Sequence, residues 1–345
     1  MKIVVTGGAG FIGSNFVHLL MRERPATNVV VMDKLTYAGC MENLREISSD
    51  PRFSFVQMDI CSPEVADAIA GADVVVNFAA ETHVDRSIED AAAFVRTNVE
   101  GAWRLLESAR ARKIGRFVQI GTDEVYGSLG STGKFREDTP LTPRSPYSST
   151  KAAADLLALS YAHTHKLPVI VTRCSNNYGP YQFPEKFIPV MVLRAMRGER
   201  LPVYGDGLNV RDWLHVEDHC RAILAVMERG REGEVYNIGG DCERENLHVA
   251  QTILQSFERG YELIEFVKDR PGHDRRYAID CEKIKAELGW QQRWNFETGL
   301  QATIAWYQEN AAWVENLQQQ NRDYFKRHYD DRPAVRQGLG AAPQP

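Results

Sequence analysis

The sequence predicts an α/β fold: a doubly wound parallel sheet with a smaller C-terminal α/β lobe. Three observations carry this. Short, near-continuous apolar runs alternate with stretches of helical periodicity through residues 1–174. The first run breaks into a glycine loop, Thr6-Gly7-Gly8-Ala9-Gly10-Phe11-Ile12-Gly13, and a helical pattern (Phe16, Val17, Leu20) follows at once. From residue 175 the rhythm gives way to short segments punctuated by Pro184, Pro189, Pro202, Gly205 and Gly207, as expected of a second lobe.

A chain of 345 residues with 43% hydrophobic content suits one large domain and a smaller one. Lys plus Arg total 41 against 46 Asp plus Glu, a net charge of −5, so the overall field disfavours nucleic acid as a partner. Six cysteines are scattered without a C-x-x-C pair, which argues against a disulfide scaffold or a zinc site and fits a reducing cytoplasm. No apolar run approaches the ~18 residues that crossing a bilayer requires. The N-terminus reaches the glycine loop too soon for a signal peptide. The expectation is a cytoplasmic protein with no membrane partner and no metal.

Ile3-Val4-Val5 reads as the first strand. Strand, glycine loop and helix are the context of a dinucleotide fingerprint, and two registers fit, Gly8-x-Gly10-x-x-Gly13 and Gly7-x-x-Gly10-x-x-Gly13. Glycines let backbone N–H groups approach a pyrophosphate at the helix N-terminus. The second strand, Val29-Val30-Val31-Met32, ends at Asp33. A carboxylate there accepts hydrogen bonds from a ribose diol and repels a 2′-phosphate, which favours NAD over NADP. Lys34 beside it would soften that repulsion. Phe53 to Met58 is a third strand, ending at Asp59-Ile60, where an adenine amino group can be read or the strand simply stops. Asp73 to Phe78 is a fourth, and Ala79-Ala80 after it leave room for a cofactor to pass close to the backbone. Glu81 to Ser87 then leads into a long helical stretch through Phe94, Asn98 and Trp103. His83 follows a strand C-terminus, where open α/β sheets bind ligands; the alternative is a satisfied loop histidine.

The centre of the chain follows. Arg116 to Ile120 is a strand that delivers Gly121-Thr122-Asp123-Glu124-Val125-Tyr126-Gly127. The next helical pattern opens with Tyr147-Ser148-Ser149-Thr150-Lys151 and runs through Ala154, Leu157 and Tyr161. A hydroxyl and two adjacent carboxyls at a strand end thus meet a phenol one helical turn from an ammonium. Thr122, Asp123, Glu124, Tyr147 and Lys151 are read as acting together on one sugar beside a nicotinamide ring. Adjacent residues on a strand point to opposite faces, so the backbone must turn after Thr122 for both acids to share a role. A phenol titrates near ~10, and the Lys151 ammonium and a positive nicotinamide are expected to lower that value.

Val169 to Arg173 is a further strand, Ser175 to Pro180 a turn-rich exit, and Glu234 to Ile238 a later strand. The basic loop Asp269 to Tyr277, with Arg211, reads either as a diphosphate seat with forked guanidinium contacts or as a solvated charged loop. The expected division is a dinucleotide-binding domain over 1–174 with returns near 209–240, a lobe over 175–208 and 241–328, and a frayed tail over 331–345.

On the glycine loop, Asp33 and the single Tyr-x-x-x-Lys at 147–151, the chain resembles the extended short-chain dehydrogenase/reductase family. Within that family, the segments 7–14, 33–39, 81–88, 122–127, 147–151, 176–179 and 270–277 are similar to its nucleotide-sugar 4,6-dehydratases. The resemblance covers roughly residues 1–310 and implies a Rossmann-type sheet, tightly bound NAD regenerated in each turnover, a dTDP-glucose substrate and a homodimer paired through the helices near 86–112 and 147–166. It makes Thr122 a hydrogen-bonding partner of the hexose, Asp123 the general acid, Glu124 the general base, Tyr147 the base at the C4 hydroxyl and Lys151 its partner on the ribose. It implies cofactor contacts from Gly7, Gly10, Phe11, Ile12, Gly13, Asp33, Lys34, Leu35, Thr36, Asp59, Ile60, Ala79, Ala80, Thr82, Thr97, Tyr147, Lys151 and Asn177. It implies substrate contacts from His83, Thr122, Asn176, Lys186, Phe187, Pro202, Val203, Tyr204, Arg211, Asn246, Arg270, His273 and Tyr277. UDP-glucose 4,6-dehydratase and UDP-sugar 4-epimerase share the cofactor and the Tyr–Lys pair; the adjacent acids speak against the epimerase. A silent NAD-binding regulator would have no need of all five central side chains.

Overall fold

The computed structural model describes residues 1–320. The tail expected at 331–345 and the last part of the lobe, 321–328, lie outside the described residues. In chain order the strands are β1 (Lys2–Thr6), β2 (Asn28–Asp33), β3 (Phe53–Gln57), β4 (Val74–Asn77), β5 (Arg116–Thr122), β6 (Val169–Cys174), β7 (Asn176–Tyr178), β8 (Leu201–Tyr204), β9 (Val210–His215), β10 (Val235–Ile238), β11 (Glu243–Glu245) and β12 (Ile264–Val267).

Seven of them form one parallel Rossmann-type sheet in the order β10-β6-β5-β4-β1-β2-β3. The order reverses between β1 and β4, and in open sheets the crevice outside the strand C-termini at such a reversal receives the ligand. Both faces of the sheet are covered. Ile3 and Val5 of β1 enter one core with Phe16, Leu20 and Ile223, whereas Val4 between them enters the other with Val75, Phe117 and Leu105. That period of two is why the strands read as continuous apolar runs. The Phe11–Glu23 helix packs against the Val216–Arg229 helix on the first face, and the Ala102–Ala111 and Pro146–His165 helices pack together on the second.

The lobe has its own core, built on Val192, Leu201, Val249, Ile253 and Tyr307. It carries a three-stranded sheet, β11-β9-β7, and the parallel pair β12-β8. β9 therefore belongs to the lobe, and the chain rejoins the main sheet only through the Val216–Arg229 helix and β10.

The long helical stretch after β4 is not one helix. It divides into Val84–Glu89, Ala92–Phe94, a π-helical segment Val95–Gly101 and Ala102–Ala111. The wide turn sets Asn98 in the interior, where Nδ2 donates to Glu81 O (3.0 Å) and Thr150 Oγ1 (2.9 Å) and Oδ1 accepts from Glu81 N–H (2.8 Å). π-segments of this kind recur where a side chain must be placed for function. No helix among the described residues is long and apolar enough to cross a membrane. All six cysteines are free, and no cluster of His, Cys, Asp or Glu among the described residues could hold a metal.

Candidate active site

At the C-terminal edge of the sheet the glycine loop is held by contact. Gly7 has φ 66°, and a Cβ there would lie 2.6 Å from the Ala79 nitrogen; a Cβ on Gly13 would lie 2.3 Å from the Gly7 oxygen. Gly10 caps the Phe11–Glu23 helix with no side-chain hydrogen bond, and the first residues of the helix, Phe11, Ile12 and Gly13, line a cavity. At the end of β2, Asp33 accepts the Ala9 N–H through Oδ2 (3.0 Å) and the Leu35 N–H through Oδ1 (2.8 Å). Burial pushes its pKa up, against these backbone hydrogen bonds.

A cavity of about 290 Å³ opens here. Gly7, Gly10, Phe11, Ile12, Gly13, Asp33, Lys34, Thr36, Asp59, Ile60, Ala79, Ala80, Thr82, Thr97, Tyr147, Lys151 and Asn177 all line it, as do Thr122, Asp123 and Glu124. Leu35 does not: at φ 57° its side chain turns back against the main core.

A second cavity, about 200 Å³, lies between the domain and the lobe. His83, Asn176, Lys186, Phe187, Pro202, Tyr204, Arg211, Asn246, Arg270, His273 and Tyr277 line it. Thr122 lines only the first cavity. Val203 departs from expectation, because alternate residues of β8 face opposite ways and its side chain points into the lobe core. Thr82, Glu124, Asn176, Glu185 and Lys186 border both cavities and form the wall between them.

The five central side chains converge on the first cavity. β5 stops at Thr122 and the backbone turns into a short 3₁₀ helix, Asp123–Tyr126, which brings both acids to one side. The Glu124 N–H donates to Thr122 Oγ1 (3.3 Å). The Pro146–His165 helix starts with a reciprocal Ser145–Ser148 capping box and Pro146 in its first turn, so Tyr147 lies in the most firmly fixed part of the helix. Lys151, one turn on, donates from Nζ to Ile120 O at 2.6 Å.

Electrostatics separate the two acids. Asp123 is pushed well above the usual carboxylate range by burial and then by the charges of Glu124 and Asp212. Glu124 is raised by burial too, but Arg270, Arg211 and Lys186 all pull it down. Asp123 has two anions against the single cation Arg211, whereas Glu124 has three cations against the single anion Asp274; both are raised, Asp123 the more strongly, which favours the proton on Asp123 over Glu124. Tyr147 differs from expectation: burial and the Glu124 charge push the phenol up, and a Thr122 hydrogen bond only partly offsets them. Burial is the largest of the causes that act on the phenol. Lys151 is itself pulled down by burial, against the charge of Asp155.

The basic loop divides between solvent and cavity: Asp269, Pro271, Gly272 and Arg275 are exposed, while Arg270, His273 and Tyr277 line the second cavity. The Arg211 guanidinium stacks over Tyr277 at 4.4 Å and donates to Asp274 O at 2.9 Å. Arg270 reaches Asp85 Oδ1 at 3.6 Å, while the Tyr204 hydroxyl donates to Asp85 Oδ2 at 2.8 Å. Lys186 Nζ donates to Thr82 O at 2.9 Å. Arg275 and Arg276 instead pair with Asp206 and Glu243, away from the cavity lining. Sequence reasoning missed Asp85, Glu185 and Asp212. Glu185 adjoins Lys186 and Asp85 lies two residues after His83, so a carboxylate within two positions of an expected substrate contact is the signal that would have found them.

A Rossmann-type sheet with a glycine loop, an acid at the end of β2 and a buried Tyr-x-x-x-Lys helix defines an extended short-chain dehydrogenase/reductase. The chain matches the GDP-mannose 4,6 dehydratase family over residues 4–303 and belongs to that family. It is 53% identical over 322 residues to a dTDP-glucose 4,6-dehydratase of Streptomyces niveus, covering 92% of this chain and 96% of that one. Among solved structures it resembles the dTDP-glucose 4,6-dehydratase of Streptomyces venezuelae with NAD bound, at TM-score 0.90 and 48% identity over 92% of this chain and 100% of that one. It also resembles the Bacillus anthracis dTDP-glucose 4,6-dehydratase in complex with NAD, at TM-score 0.87 and 51% identity over 92% and 99% of the two chains.

Proposed function

We propose that this chain converts dTDP-glucose to dTDP-4-keto-6-deoxyglucose and water, with NAD in the first cavity and the sugar nucleotide in the second. The observation that carries the reading is the pair Asp123–Glu124 lining one cavity with Tyr147, in surroundings that raise Asp123 more strongly than Glu124 and so favour the proton on Asp123. The first cavity fits a dinucleotide: the start of the Phe11–Glu23 helix, with Phe11, Ile12 and Gly13 lining the cavity, suits a pyrophosphate, Asp33 a ribose diol, and Asp59-Ile60 an adenine edge. Bound NAD supplies the acceptor for a hydride from C4 and its donor to C6, so it ends each turnover as it began and stays in place.

Loss of water across C5–C6 is difficult because the C5 proton is not acidic; a ketone at C4 turns the developing carbanion into an enolate. Tyr147 takes the C4 hydroxyl proton, with the Thr122 hydroxyl steadying phenolate and sugar. The Lys151 ammonium orients the ribose and favours phenolate. Glu124, kept anionic by Arg211, Arg270 and Lys186, removes the C5 proton. Asp123, held protonated, donates to the departing C6 oxygen, and C5 is then reprotonated. Arg211 and Arg270 hold the diphosphate, and His83, Asn176 and Lys186 the sugar.

The chain also pairs with a second copy of itself. Val95, Val99, Trp103 and Leu157 line an apolar surface groove, and Leu156 beside it is 57% exposed. The free thiols and the balanced charge suit work in the cytoplasm without membrane or nucleic-acid partners.

The test is incubation with dTDP-glucose and, separately, UDP-glucose, reading the alkaline absorbance of a 4-keto-6-deoxy sugar. Product from dTDP-glucose supports the proposal. Product from UDP-glucose alone reassigns the nucleotide, and a 4-epimer with no keto-sugar overturns the reaction. Light scattering of the purified protein decides the dimer.

A further inference from the structure

A buried line of charge runs behind Lys151, and the mechanism above does not use it. Asp155 follows Lys151 by one helical turn on the same face, and both side chains are buried. Asp155 Oδ2 accepts from Arg173 Nε at 2.9 Å, an ion pair with side-chain exposures of 0% and 3%. Arg173 Nη1 donates on to the Tyr126 hydroxyl at 2.9 Å, which donates to Asn237 Oδ1 at 2.8 Å. The other carboxylate oxygen, Asp155 Oδ1, is buried without a hydrogen-bond partner. Gly121 makes the room, since a Cβ there would come within 2.9 Å of Asp155 Oδ1. Meanwhile Lys151 Nζ donates to a neutral carbonyl, Ile120 O, at 2.6 Å.

We infer that Asp155 is a positioning residue that keeps Lys151 an ammonium in a site too dry to hold one unaided. The inference rests on Lys151 and Tyr147 working as the pair proposed above. Asp155 is ion-paired with Arg173, while the Lys151 ammonium ends on Ile120 O, one residue from the glycine against which the unpartnered Asp155 Oδ1 lies, so two buried cations stand near a single buried carboxylate. The other titratable groups around them are the Cys174 thiol on β6 and the Tyr126 phenol after β5, both pushed up by burial, with Asp123 and Glu124 beyond them toward Tyr147. Neither the thiol nor the phenol supplies an anion near neutral pH. Arginine does not give up its proton in proteins. If the carboxylate is removed, the strain of two unpaired buried cations is therefore relieved through Lys151, which discharges. A neutral amine no longer favours the Tyr147 phenolate, and proton removal from the C4 hydroxyl fails.

The test uses NAD-loaded protein carrying carbon-13 at lysine Cε, with the Lys151 resonance identified by its absence in Lys151→Arg. In the wild type Lys151 holds its charge at neutral pH, while in Asp155→Asn its proton affinity falls by about tenfold or more. The acid limb of the kcat–pH profile moves to higher pH. Asp155→Leu with Arg173→Met replaces the ion pair by apolar groups, a change that cores often tolerate; Lys151 discharges there too. Arg173→Met alone leaves the carboxylate to Lys151 and keeps its charge. If Lys151 titrates as in the wild type in the folded single or double variant, and the kcat–pH profile is unmoved, Asp155 is only a structural partner of Arg173 and the inference is wrong. If the wild type makes no keto-sugar, the functional reading fails instead, and the lysine titration still decides the matter of Asp155.

Discussion

Lys34 and Asp59 form an ion pair across the ends of β2 and β3, Nζ to Oδ2 at 2.8 Å. This bears on the cofactor, because Lys34 follows Asp33, the acid proposed to meet the ribose diol. Its ammonium is turned to Asp59 instead. With Lys34 53% exposed, the pair contributes only ~0–1 kcal/mol, so its effect on selectivity is modest. Asp59→Asn should release Lys34 and raise affinity for NADPH relative to NADH by a few-fold. Asp33→Ser combined with it should raise that ratio further, measured by fluorescence titration. An unchanged ratio in the double variant would remove both acids from cofactor choice.

Tyr147 and Glu124 are separable in time. Tyr147→Phe should slow NADH formation on mixing with dTDP-glucose on the order of 10²–10⁴-fold. Glu124→Gln should form NADH yet incorporate no solvent deuterium at C5 and release no dehydrated sugar. Stopped-flow absorbance and mass spectrometry distinguish the two, and a fully active Glu124→Gln protein would dismiss the assigned base.

Asp85 holds two groups of the second cavity, Tyr204 and Arg270, at once. Asp85→Asn keeps the size but drops the charge that orients Arg270. KM for dTDP-glucose should rise about tenfold with kcat nearly unchanged, the loss of about one charge-assisted hydrogen bond. A fall in kcat at constant KM would place Asp85 in the chemistry.

Stability should fall on acidification for a reason separate from catalysis. His215 and His219 are buried, and burial pulls their pKa values down to about 4 and about 3. In the unfolded chain each takes up a proton near pH ~6.5. Their contribution is therefore complete above that pH and is lost as the pH falls toward the folded values. Each should cost about 1.4 kcal/mol per pH unit between about pH 6 and 4. His219 Nδ1 lies 2.9 Å from Asn177 Oδ1, and His219→Gln retains a donor for it. Urea unfolding at pH 7 and 5 should show a shallower loss in this variant; an identical loss would exonerate His219.

The main sheet was legible because each strand buried on both faces leaves an apolar run, and because glycine, Asp33 and Tyr-x-x-x-Lys sit at fixed places relative to those runs. The turn after Thr122 could be argued in advance from strand geometry, and the backbone makes it. What stayed hidden was set by distance in sequence. β9 looks like a return to the main sheet, yet it pairs with β7 and β11. The π-segment at Val95–Gly101 differs from an α-helix by one hydrogen-bond step, which leaves no mark on hydrophobic period. Val203 does not follow its neighbours Pro202 and Tyr204 into the cavity, because a strand divides its residues between two faces. Asp155 is invisible in sequence, since only the fold brings Arg173 to it from β6.

The near-touch between the Gly7 oxygen and the missing side chain of Gly13 has an evolutionary corollary. Steric exclusion alone would preserve these glycines, so a descendant that had ceased to oxidise anything would go on carrying the fingerprint for as long as it folded. Among relatives of this chain, a living enzyme and a retired one would look alike at the first loop. They would part company at the two acids after β5, which the proposed chemistry needs and the glycine loop does not.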